Sequence, residues 1–352
     1  MNGLPSKERQ RLGALLDHTS QVEVMAQIPQ FSVAEVHNIV SPPAEASTQM
    51  GVLVFNMERG VHLAELGDFL ENCPEVRPYD VLLANELDDG CVRSGQKDTA
   101  KELAERLGLN YVFGLEFIEL VNPEDSKGHH GNAIFSRWPI KQAKVVRLPE
   151  QYNWYFDRQR RIGGRLAILA ELDVNGRRIG VGTIHLENRT HGEGRAAQLE
   201  AILKEADAMF PDMPVLLGGD LNTNTFDGRD KDTINEIASD PELQRRCLED
   251  VAQWEACLPL AAKYGYSAVP DASNSTTEWE LVTRRKPLPD GSHLDLRLDW
   301  LLLRSVTPVD GRNISTYRDV WPFAPADSPL EAFGGKELSD HNAVWVSCVL
   351  DQ

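Results

Sequence analysis

The chain has 352 residues, 41% of them hydrophobic, with 36 Lys+Arg against 54 Asp+Glu and a formal net charge of −18. An apolar content of that size excludes an intrinsically disordered chain, and the length fits either two domains or one large α/β unit. So acidic a chain repels phosphate backbones on average, which disfavours a broad nucleic-acid-coating surface without excluding a local basic pocket.

The first residues, Met1-Asn2-Gly3-Leu4-Pro5, open no apolar stretch of the kind a signal peptide needs. Apolar runs such as Val215-Leu216-Leu217 fall far short of the roughly 18 residues that span a bilayer, so no transmembrane segment is expected. The five cysteines are scattered, odd in number and without Cys-x-x-Cys spacing. That pattern argues against a disulfide framework or a cysteine zinc site, and the expectation is reduced thiols in a cytoplasmic protein.

In chain order, residues 6–16 pattern as a short amphipathic helix and Ser41-Pro42-Pro43-Ala44 as a loop, so residues 1–50 are expected to form an N-terminal arm on a domain spanning 51–352. From Gly51 a rhythm begins, with an apolar strand over 51–55, a helix over 61–71 and a second strand over 80–84. Residues 99–107 are rich in helix formers and are closed by Gly108. Strands are expected over 111–117, 132–135 and 144–148, and residues 166–174 and 178–186 flank Asn175-Gly176, a strong hairpin signal. A long helix over 194–210 and strands over 214–217, 297–303 and 343–350 complete the series. Residues 223–296 carry the weakest pattern, with loop signals at 271–275 and 287–291, and read as an insertion over one edge. Hairpins mixed with two strand–helix alternations do not suit a purely parallel sheet. The expected architecture is α/β, two packed mixed sheets with helices on their outer faces.

Several expected strands run into a polar residue that binds metal or moves protons: Asn56, Glu86, His185, Asp220 with Asn222, Asp299, and Asp340 with His341. Any one of these could be a cap or a turn residue. Together they form a set of hard oxygen and imidazole groups without thiolate. Such a set suits Mg2+ or Mn2+ held by few protein ligands, with histidine and a further carboxylate for proton transfer.

The motifs Phe55-Asn56-Met57-Glu58, Ala84-Asn85-Glu86, Gly131-Asn132-Ala133-Ile134-Phe135-Ser136-Arg137, Thr183-Ile184-His185-Leu186, Gly219-Asp220-Leu221-Asn222, Arg297-Leu298-Asp299-Trp300 and Ser339-Asp340-His341 occur in this order. The ordered set resembles the endonuclease/exonuclease/phosphatase superfamily, the DNase-I-like metal-dependent phosphoesterases. The resemblance implies a four-layer α/β sandwich over a catalytic domain from residue 51 onward. It also implies a Mg2+- or Mn2+-dependent phosphoesterase acting on a phosphodiester or phosphomonoester.

The resemblance further assigns roles. Glu86 corresponds to the principal metal ligand with Asn56 beside it, and Asp340 to a ligand or neighbour of a second metal position. Asp220 corresponds to the residue that orients or deprotonates the attacking water, and Asn222 to the one that positions it. Asp299 fixes the tautomer of His341, which contacts the scissile phosphate, and His185 binds a phosphate oxygen. Asn132 is expected on the substrate-facing rim. Many relatives carry Gln where this chain has Asn85, and Asp88, Asp89 and Glu187 are additional acids expected beside the site, able to alter metal or substrate preference. Arg195 and Gln198 fit a structural role.

The segment Tyr152–Arg165 combines four arginines with four aromatics. It reads either as a phosphate clamp, with Arg161 contacting substrate, or as a solvated loop. Thr283-Arg284-Arg285-Lys286 reads as a solvated basic loop, and His129-His130 as a flexible loop, because adjacent residues of a strand point to opposite faces. Specificity is expected from loops 87–98, 122–130, 149–164 and 223–296. The alternatives are a DNA or RNA nuclease of the same superfamily, disfavoured by the charge, and a non-catalytic binding module.

Overall fold

The computed structural model describes residues 1–43, 49–224, 226–269 and 280–350. The loop signals at Ala44 and at 271–275 therefore lie outside the described residues.

Two mixed β-sheets stack face to face. The first runs in the order Ala34–His37, Asn110–Glu119, His129–Ser136, Val81–Asp89, Gln49–Arg59, Ala343–Leu350, Val306–Ile314, with the short strand Arg161–Gly163 also pairing with Asn110–Glu119. The second runs Ser267–Val269, Asp299–Arg304, Val215–Asp220, Arg177–His185, Leu166–Val174, Ile140–Arg147. Strand alternation assigns each side chain to a layer. Val52 and Val54 join Val81, Leu83, Leu216 and Leu301 in the cluster between the sheets. Their neighbours Leu53, Phe55, Leu82 and Ala84 face the outer helices of the first sheet. The helix Leu63–Asn72 buries Leu63, Leu66 and Leu70, at helical spacing, in that outer layer. On the far side, Gly192–Met209 buries Leu199, Ile202, Leu203 and Ala206 against the second sheet. The result is the expected four-layer α/β sandwich.

Among the described residues, one strand pair in each sheet is parallel: Gln49–Arg59 with Val81–Asp89, and Arg177–His185 with Val215–Asp220. A parallel pair needs a crossover, and the helices Leu63–Asn72 and Gly192–Met209 supply it. The C-terminal ends of both pairs lie at one edge of the sandwich, where open α/β sheets bind ligands. Asn56 pairs in register with Asn85, and Asp220 with both His185 and Asp299. The Asn175-Gly176 hairpin forms as expected, both residues taking positive φ.

Three expectations are corrected. Residues 223–296 are not a loop insertion: they contain the helices Lys231–Ser239, Pro241–Glu249, Val251–Trp254 and Cys257–Lys263 and the hairpin Arg284–Pro287 with His293–Leu296. Asp230 and Asp240 are helix N-caps, their side chains accepting from Thr233 N–H and from Glu242 and Leu243 N–H. His129-His130 opens the strand His129–Ser136 and is buried, not a flexible loop. The run Thr283–Lys286 leads into the hairpin, and its Arg284 forms a bridge with His341.

At the N-terminus, Ala34–His37 extends the edge of the first sheet, and Leu12, Leu16, Val24, Ile28 and Phe31 share its outer cluster. Among the described residues, no helix is long and apolar enough to cross a membrane.

Candidate active site

The site is assembled around Asp220, the last residue of its strand. Gly219 before it has a φ of 147°, and a Cβ there would run into the Ile184 carbonyl and the Asn85 side chain. Only glycine lets the two strands approach this closely. Asp220 N–H donates to Asn85 Oδ1 at 2.9 Å, and Asn85 Nδ2 donates to Asn132 Oδ1 and to Thr183 Oγ1, each at 3.2 Å. One buried amide thus staples the two sheets together beneath the site.

Glu86 sits on a β-bulge between Ala84 and Leu87 with φ 55°, which turns its carboxylate toward the opening. Asn56 Nδ2 bridges Glu86 Oε1 at 3.3 Å and Asp220 Oδ2 at 3.2 Å. Burial acts to raise the Glu86 pKa, but the charges of Arg59, His130, His185 and Arg165 outweigh it and hold the carboxyl well below its usual range. Asn222, also at positive φ, donates its N–H to Asp220 Oδ1 at 2.9 Å.

Two histidine–carboxylate pairs flank Asp220. His341 Nδ1 lies 2.8 Å from Asp299 Oδ2, and its Nε2 lies 3.7 Å from Asp220 Oδ2. Burial opposes the imidazolium, yet the Asp299 and Asp220 charges raise the His341 pKa to about 9. Opposite, His185 Nδ1 lies 3.1 Å from Glu116 Oε2 and its Nε2 lies 3.6 Å from Asp220 Oδ2. Arg165 Nη1 is 2.7 Å from His185 Nε2 and 3.0 Å from Glu116 Oε1. Glu116 is fully buried, which raises its pKa, but the charges of His185 and Arg165 win and bring it down to about 2. Asp220, Asp299 and His341 each present a ligand atom, all within 4.8 Å of one another.

The structure thus brings Asn56, Glu86, His185, Asp220, Asn222, Asp299 and His341 together. Asp340 stands at the edge, its carboxylate held by Arg284 at 2.6 Å and 4.0 Å from His341 Nε2. Asn132 is not on the rim. It is fully buried, and its Oδ1 accepts from the Glu86 backbone N–H at 3.2 Å, fixing the bulge from below. Arg161 is neither solvated nor at the opening, its guanidinium lying 4.0 Å from the Trp154 ring and 4.2 Å from that of Phe117. Asp88 and Asp89 are likewise engaged: Asp88 by Arg93 at 2.7 Å and His130 at 2.9 Å, Asp89 by Lys127 at 2.7 Å. Glu187 accepts from Trp154 Nε1 at 2.8 Å. Arg195 is buried against Glu255 and the Thr190 carbonyl, as a structural role requires.

The sequence gives Glu116 no role, and it reads Arg165 only as one arginine of the Tyr152–Arg165 segment and Arg284 only as part of a basic run. Their one signal was a charge inside or beside an apolar strand, as in Leu115-Glu116-Phe117. Arg284 looks solvated in the sequence because its partner Asp340 lies 56 residues away.

The chain matches the Endonuclease/Exonuclease/phosphatase family over residues 53–341. It belongs to that family, whose enzymes are hydrolases of phosphate esters. No curated protein matches the chain. Similar solved structures include an endonuclease/exonuclease/phosphatase from Beutenbergia cavernae, 18% identical, covering 86% of this chain and 72% of that one with a TM-score of 0.51. The human nocturnin catalytic domain with bound sulfate is 15% identical, with 91% and 97% covered and a TM-score of 0.52. A family protein from Bacteroides thetaiotaomicron is 14% identical, with 88% and 100% covered and a TM-score of 0.53. These likenesses establish a shared fold.

Proposed function

We propose that the chain is a Mg2+- or Mn2+-dependent phosphoesterase that hydrolyses a phosphodiester or phosphomonoester by in-line attack of water. The observation that carries this reading is the convergence on Asp220 Oδ2 of the Asn56 amide, His185 Nε2 and His341 Nε2. The ionised Glu86 carboxylate beside Asn56, both hard oxygen donors, suits a divalent cation. A cation held there by Glu86 and Asn56 would neutralise phosphate charge and stabilise the leaving oxygen.

The chain's own groups do the rest. Asp220 orients a water molecule and receives its proton, with the Asn222 N–H and the Asn56 amide keeping its carboxylate in place. His341, kept protonated by Asp299, donates to a phosphate oxygen. His185, backed by Glu116 and Arg165, binds a second phosphate oxygen on the other side. In this reading Asp340 neighbours a second metal position and is restrained by Arg284. Asn132 and Arg161 act from beneath, the first on Glu86 and the second beside the Trp154 ring.

In this reading the catalytic domain spans residues 51–352 and residues 1–50 are an arm that packs onto it, Leu12 and Phe31 joining the outer cluster of the first sheet. Buried thiols at Cys73, Cys91, Cys257 and Cys348 suit a reducing, cytoplasmic setting.

The test is hydrolysis of a chromogenic bis-aryl phosphate with Mg2+ or Mn2+. Activity that survived EDTA or Asp220→Ala would overturn the mechanism. Plasmid DNA and single-stranded RNA incubated at low salt form the second arm. Cleavage lost in His341→Ala would move the assignment to a nuclease.

A further inference from the structure

The chain carries a net charge of −18, yet six of its cations line two adjoining cavities beside the site. A cavity of about 310 Å³ opens from Asn222 and is walled by Arg189, Arg284 and Lys286 together with asparagines, Gly228 and Leu296, with no carboxylate among the described residues that line it. A second cavity of about 600 Å³ adjoins it, Arg189, Gly228 and Lys286 lining both. The outer cavity adds Arg158, Arg229 and Lys231 against one acid, Asp157. Its remaining wall includes Ile234, Pro287, Leu288 and Pro289.

Three of these six cations have carboxylate partners: Arg189 with Asp157 at 3.6 Å, Arg229 with Asp227, and Arg284 with Asp340 at 2.6 Å. Lys286 has none among the described residues. Its ammonium meets only the Gly228 carbonyl, at 3.5 Å, and the face of Phe226. Arg189, Arg284 and Lys286 are half-buried; like charges so placed repel one another, and a bound anion relieves that repulsion. Burial, Arg284 and Arg189 all push the Lys286 pKa down, the signature of such crowding.

We propose that this cavity pair is a subsite for a further phosphate of the substrate, and that the substrate is a small polyphosphorylated molecule. Its second phosphate lies on Lys286 and Arg189, and its apolar or planar body rests on the Pro287–Pro289 wall. The proposal rests on the phosphoesterase reading for the scissile phosphate, which sits at Asp220, Asn222 adjoining both places. The cavity volumes fit a small molecule, within the roughly 300–1,000 Å³ of ligand pockets, and the acidic balance of the chain opposes a long nucleic-acid strand.

The experiment is calorimetric titration of the metal-free full chain with tripolyphosphate. Wild type is expected to bind. Lys286→Gln combined with Arg189→Gln should weaken binding at least tenfold, Lys286→Arg should restore it relative to Lys286→Gln, and Lys144→Gln on the far surface should bind as wild type. Unchanged melting temperatures exclude misfolding. Tripolyphosphate binding that is absent, or indifferent to Lys286 and Arg189, overturns the subsite. A single-stranded oligonucleotide that competes through the same residues and tightens with chain length overturns the small-molecule class. The phosphoesterase reading fails separately. If wild type did not hydrolyse the bis-aryl phosphate with Mg2+ or Mn2+ while binding stayed sensitive to Lys286, the anion subsite would stand and the proposed reaction would not.

Discussion

Asn85 shows how much a single side chain can organise. Its amide accepts from Asp220 N–H and donates to Asn132 and Thr183, so it fixes the depth of the second sheet against the first. Asn85→Ala would strand these buried partners, at about 1–3 kcal/mol for each group left unsatisfied. Denaturant unfolding should register the loss, and activity should fall with it because Asp220 loses its backbone anchor. The His341–Asp299 pair makes a different demand. Asp299→Asn keeps the shape but removes the charge that keeps His341 protonated, so activity should drop about 10²–10⁴-fold. A variant within a factor of a few of wild type would remove this pair from the mechanism.

At the scale of elements, the two parallel strand pairs carry the site because each ends in a crossover to a helix, and their polar C-terminal residues face one another across the sandwich. The strand from Val215 to Asp220 reaches Ile184 only because residue 219 lacks a Cβ and takes φ 147°. Gly219→Ala should therefore lower the melting temperature, at a cost of about 1–3 kcal/mol from backbone strain alone. A thermal melt matching wild type would show that the strands can separate without penalty. The helices between residues 231 and 263 were illegible for a related reason. All are short, Lys231–Ser239 and Pro241–Glu249 are sparsely apolar, and the Asp caps that begin those two are the same residue type that marks turns.

For the whole molecule, the buried charge beneath the site sets a pH limit. Glu116 faces Arg165, His185 and, at longer range, His130, and its pKa falls from 4.5 to about 2 on folding. A carboxyl with a lowered folded pKa contributes stability that is fully present above about pH 4.5 and is lost as pH falls toward about 2. Unfolding measured between those limits should steepen in wild type and flatten in Glu116→Gln. The same variant leaves Arg165 underpaired in the interior and should cost about 3–5 kcal/mol at pH 7.

Sequence alone determined the layered α/β class and pointed to the candidate set Asn56, Glu86, His185, Asp220, Asn222, Asp299 and His341, which the fold brings together. Those residues sit at strand ends, where the break from apolar to polar is a local signal. The tertiary structure decided what lies behind and beside them: Glu116 and Arg165 under His185, Asn132 under Glu86, Arg284 on Asp340, and Lys286 beside Arg189. These are pairings between distant parts of the chain. A charged residue far from its partner in sequence looks solvated until the fold removes the water and supplies the opposite charge.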